Sequence, residues 1–132
     1  MESLTFSLPD AYGGLADTHG IARIEGDDLV LEFSSTVLGL YQGGVREVRI
    51  PIEGLESAET KKRFFRYLLE IRAQSMRSFE GVPSVQAGIL KLHVARNEKL
   101  AADLLANSIA TRIATHHLRR IDAAIREHGE GL

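Results

Sequence analysis

Residues 88–129 carry two successive periodicities. Leu90, Leu92 and Val94 alternate with Lys91, His93 and Ala95, the period-2 pattern of a strand with one buried face. From Glu98 to His128 the spacing is helical. Asn97 is expected to cap the first amides and Gly129 to close the last turn, which holds Arg126 and His128. At roughly 1.5 Å per residue such a helix spans on the order of 45 Å, more than one small domain needs.

The apolar face of this helix changes direction. Ala102, Leu105, Ala106, Ile109 and Ile113 share one side, while Ala110, Ala114, Leu118, Ile121 and Ile125 form a stripe rotated by roughly a third of a turn or more. The two halves are therefore expected to face different neighbours. Either the helix breaks or kinks near Thr115-His116-His117, or its second half packs on a partner; the partner is the favoured reading.

Ahead of this segment the pattern predicts short strands. Residues 20–24 and 29–34 flank the turn Glu25-Gly26-Asp27-Asp28, with Leu29, Leu31 and Phe33 on one face of a hairpin. Residues 1–19 read as a loose arm punctuated by Pro9 and Gly13-Gly14. Residues 35–44 read as a connection whose Val37, Leu38, Leu40 and Tyr41 form a candidate contact surface, because exposed apolar loops mark interfaces. A third strand, 45–52, carries Pro51, which assigns that end to a sheet edge. A fourth, 55–60, turns through Lys61-Lys62-Arg63. Phe65, Tyr67, Leu69 and Ile71 alternate in a fifth strand over 65–72, residues 75–79 suggest a sixth, and 89–95 is the last.

Strands in succession with no crossover helices exclude a parallel sheet. The expected class is mainly β with one α-helix: an antiparallel meander capped by the C-terminal helix. The arm occupies 1–19, the capped sheet 20–113, and a helix extension 114–132. The hairpin around Glu25-Gly26-Asp27-Asp28, the run Val48-Arg49-Ile50-Pro51-Ile52-Glu53-Gly54-Leu55-Glu56-Ser57, the strand from Phe65 to Arg72, and Gly88-Ile89-Leu90-Lys91-Leu92 entering the helix resemble the pleckstrin-homology-like (PH-like) domains of bacteria. The resemblance covers roughly 20–113 and is one of pattern. It implies a barrel of about seven antiparallel strands in two nearly orthogonal sheets, plugged by the helix. Such domains bind peptides, proteins or lipid head groups, or simply assemble, so fold alone does not give function.

Composition narrows the classes. The chain of 132 residues contains no cysteine, which excludes disulfides and thiolate metal sites. With 44% hydrophobic and 26% charged residues and a net charge of −2, it reads as a soluble cytoplasmic domain with no global attraction for nucleic acid. The first residues show no basic stretch followed by an apolar run, and no window approaches the roughly 20 apolar residues of a membrane span.

Lys61, Lys62, Arg63 and Arg66 form the densest basic patch and a candidate anion-binding site. Where PH-like domains bind phosphoinositides, the first hairpin loop is basic; here it carries Glu25, Asp27 and Asp28, which disfavour a phosphorylated ligand. His116 and His117 are adjacent and project about 100° apart, so they do not chelate one metal together. No nucleophile elbow, phosphate-binding loop or dinucleotide fingerprint is present. The expectation is a non-catalytic protein-interaction or assembly module without cofactor or metal. Self-association would run through Leu118, Ile121 and Ile125 together with Val37, Leu38, Leu40 and Tyr41. The alternatives are a peripheral binder of anionic lipid using the basic patch, and a small-molecule binder or enzyme.

Overall fold

The computed structural model of the chain describes residues 3–9, 16–37 and 40–130. Its seven strands are β1 (Ser3–Leu8), β2 (Ala16–Glu25), β3 (Asp28–Val37), β4 (Leu40–Pro51), β5 (Leu55–Arg63), β6 (Arg66–Ala73) and β7 (Ile89–Val94), followed by one helix, α1 (Lys99–Glu130). All neighbours pair antiparallel in one sheet of order β4-β3-β2-β1-β7-β6-β5. The sheet does not close: β4 and β5 are its two edges, and Pro51 lies on the edge strand where its missing N–H costs no ladder bond.

One face of the sheet is apolar apart from the buried Thr18 of β2, whose hydroxyl is hydrogen-bonded to that of Ser35. Leu4, Phe6 and Leu8 of β1, Leu29, Leu31 and Phe33 of β3, Ile50 of β4, Leu69 and Ile71 of β6, and Leu90 and Leu92 of β7 are buried together. The first half of α1 covers them with Ala102, Leu105, Ala106 and Ile109, lying mainly over β5 and reaching β1, β2 and β6. Burying Leu105 and Ile109 contributes roughly 1.5–3 kcal/mol each.

Several expectations are corrected. The supposed arm contains β1, a strand in the middle of the sheet, and His19 belongs to β2. Residues 35–44 are largely strand, since Thr36 pairs with Tyr41 and Val37 with Leu40. Lys61, Lys62 and Arg63 lie in β5 rather than in its turn, and Phe65 lies in the turn rather than in β6. Residues Met76–Phe79 form a 3-10 helix, not a strand, burying Phe79. The count of seven survives because β1 replaces that segment. The strands pair as one continuous, open sheet. The helix is continuous through Thr115, His116 and His117; it begins at Lys99, after a 3-10 turn that contains Asn97, and Gly129 lies within it.

Gly20 of β2 has no room for a side chain. A Cβ there would lie 2.3 Å from the Glu32 carbonyl oxygen and 2.8 Å from both Phe33 Cβ and Phe6 Cζ. The first contact is with backbone, which cannot swing away. Gly20→Ala is expected to destabilise the fold by about 2 kcal/mol or more, read as a lowered midpoint in urea unfolding; an unchanged midpoint would show that the two strands separate there at no cost.

Candidate interaction surfaces

Two arginine side chains, Arg112 and Arg120, fasten α1 to one end of the sheet, with His116 on the turn between them. The Arg112 guanidinium donates to the Gly26 carbonyl at 3.0 Å and lies 3.7 Å from Asp27, His116 Nε2 is 3.9 Å from Asp27, and Arg120 donates to the Glu53 carbonyl at 2.9 Å. Glu25 is in turn held by Arg23 and Arg49. The acidic β2–β3 turn is thus a docking point for the helix as well as a turn made possible by Gly26 at φ 60.

Past Arg120 the helix leaves the body, and residues 121–128 are all exposed. Leu118, Ile121 and Ile125 are 65%, 43% and 63% exposed, on a face about 170° around the axis from Leu105 and Ile109 at about 100° per residue. The predicted division of the helix into two faces is therefore present without a kink. The other proposed contact residues separate: Val37 is half-buried against the core, Leu40 is exposed, and Leu38 and the side chain of Tyr41 lie outside the described residues.

A second surface lies at the opposite end of the sheet. The β5–β6 turn consists of Phe64 and Phe65, which are 94% and 91% exposed. Phe64 has φ 53, a left-handed conformation that costs a bulky residue on the order of 1 kcal/mol. Alternation divides the three cations of β5. Lys61 and Arg63 point to the outer face, 3.4 and 3.8 Å from the largely buried Glu70 carboxylate. Lys62, opposite Tyr67, and Arg66 face a cleft of about 830 Å³ that Arg96 and Lys99 also line. The fold thus supplies two cations that lie some thirty residues along the chain. Sequence reasoning missed Phe64, Phe65, Arg96 and Lys99. Phe-Phe is not a turn signal, and nothing local to 96–99 indicates its neighbour.

Tyr67 fixes the back of this cleft. Its hydroxyl donates to Asp103 on α1, and Lys99 Nζ stands 5.5 Å from its ring centre. The Asp103 carboxylate, which accepts from the neutral phenol, and burial hold Tyr67 above the ordinary tyrosine range, partly opposed by Thr60. The folded pKa exceeds the unfolded one, so this stabilisation is complete below about pH 10 and is lost as pH rises through the raised pKa. Tyr67→Phe is expected to lower stability by about 1–2 kcal/mol at neutral pH and to remove that alkaline component, measured by urea unfolding at neutral and alkaline pH. Equal stability of the two proteins at neutral pH would contradict it.

Among the described residues no group of three or more histidine, aspartate or glutamate side chains is arranged to hold a metal ion, and no helix is long and apolar enough to cross a membrane. Compared with protein-family models, curated proteins and solved structures, the chain matches none.

Proposed function

We propose that this protein is a non-catalytic assembly module that pairs with a second copy of itself through the C-terminal half of α1. The observation that carries the proposal is the exposed row Leu118, Ile121 and Ile125, on a helix whose opposite face is already satisfied. With Ala114 the row is spaced four, three and four residues apart, the a/d pattern of a seam between two helices. Arg126 pairs with Asp122 at 3.2 Å beside it. The same face on two copies is self-complementary about a two-fold axis.

The proposal includes a PH-like architecture. In favour of it, β1 and β7 share one registered pair, Ser7 with His93, so the sheet narrows there between a group of four strands and a group of three. Bending at that seam would give two leaves closed over α1.

In sedimentation equilibrium at micromolar concentration the wild type is expected to be a dimer and Ile121→Asp/Ile125→Asp a folded monomer, since both side chains lie on the exposed part of α1. A wild type that sediments as a monomer would sink the proposal.

A further inference from the structure

The β5–β6 tip is not used by helix pairing. Adjacent Phe64 and Phe65 present two almost fully exposed rings at the extremity of a two-residue turn, and Phe64 occupies a left-handed backbone position that glycine would take without strain. A soluble turn gains nothing from either feature. Behind the rings stand Lys62, Arg66, Arg96 and Lys99 around one cleft. Two carboxylates near it are engaged: Asp103 accepts from Tyr67, and Glu70 lies between Lys61 and Arg63 on the outer face, while Glu98 stands between Arg96 and Lys99 in the chain and leaves the cations in excess. The chain as a whole carries −2, so this end is a local concentration of positive charge capped by aromatic rings.

We propose that the tip docks on the surface of a lipid bilayer rich in anionic head groups. Phe64 and Phe65 enter the boundary between head groups and acyl chains, and the four cations behind them meet lipid phosphates and carboxylates. Aromatic rings favour that boundary, and four basic residues reach the lower end of the 4–8 that anionic surfaces need. Two rings on a protruding tip fit a deformable, negatively charged layer. The acidic β2–β3 turn, at the end where Arg112 holds α1, takes no part.

The test is co-sedimentation of the full chain with phosphatidylcholine vesicles, with and without phosphatidylserine, at low and high salt. Retention is expected only with phosphatidylserine and is expected to fall as salt rises. Phe64→Gly/Phe65→Ser and, separately, Lys62→Glu/Arg66→Glu are each expected to weaken retention about tenfold or more. Glycine suits the backbone at position 64, so the first variant is expected to melt at or above the wild-type temperature, and its lost binding reports the surface rather than the fold. The Ile121→Asp/Ile125→Asp protein is expected to keep binding, which separates this proposal from helix pairing. It is overturned if the wild type ignores anionic vesicles, binds neutral ones equally well, or is unaffected by both double substitutions. If it ignores vesicles while Phe64→Gly/Phe65→Ser abolishes self-association, the tip is instead a contact between copies.

Discussion

An antiparallel sheet with one apolar face and two separate edges needs a cover for that face, and here the cover is the first half of α1. Ala102 and Ala106 let the helix approach closely, while Leu105 and Ile109 fill the space over the strands. Arg112 and Arg120, two turns apart, then hold its rotation from the border of the contact. Once that rotation is set, the orientation of every later side chain is determined. Leu118, Ile121 and Ile125 project away because the face carrying Leu105 and Ile109 is held inward.

The same constraint explains what could be read from the sequence. Where one face is buried and the other solvated, alternation is clean, and the β2–β3 hairpin, the core of β6 and the passage from β7 into α1 were legible. So was the change of helical face, because it depends only on the geometry of a helix. The missed strand β1 also alternates, Leu4-Phe6-Leu8, but it precedes Pro9 and Gly13-Gly14, whose turn chemistry suggested a loose end. Its place between β2 and β7 is a long-range fact that no local window contains. Residues 35–44 failed for another reason. Ser35, Thr36 and the paired glycines have loop composition, and continued pairing with a neighbour overrides weak intrinsic preference.

The candidate surfaces divide in the same way. The basic run at 61–66 was visible as composition, but alternation splits its β5 part, turning Lys61 and Arg63 onto Glu70 and Lys62 to the other face, where it lines the cleft together with Arg66 from across the turn. A sequence supplies the number of charges and a sheet decides which share a face. The phenylalanines were hidden by the opposite error, because a period-2 pattern extended one position too far assigned Phe65 to the buried row.

The two surfaces lie toward opposite ends of one rigid element. Lys99, the first residue of α1, lines the cleft beside Phe64 and Phe65, whereas Ile125 lies near its other end, roughly 39 Å along the axis at about 1.5 Å per residue. Neither surface therefore occludes the other. The proposed pairing and docking would still be coupled through direction. An antiparallel helix pair sends the two aromatic tips opposite ways, so only one meets a flat bilayer. A parallel pair brings both to the same side, and the second contact then forms at the high local concentration set by the first. The polarity of the helix seam thus decides whether pairing strengthens docking.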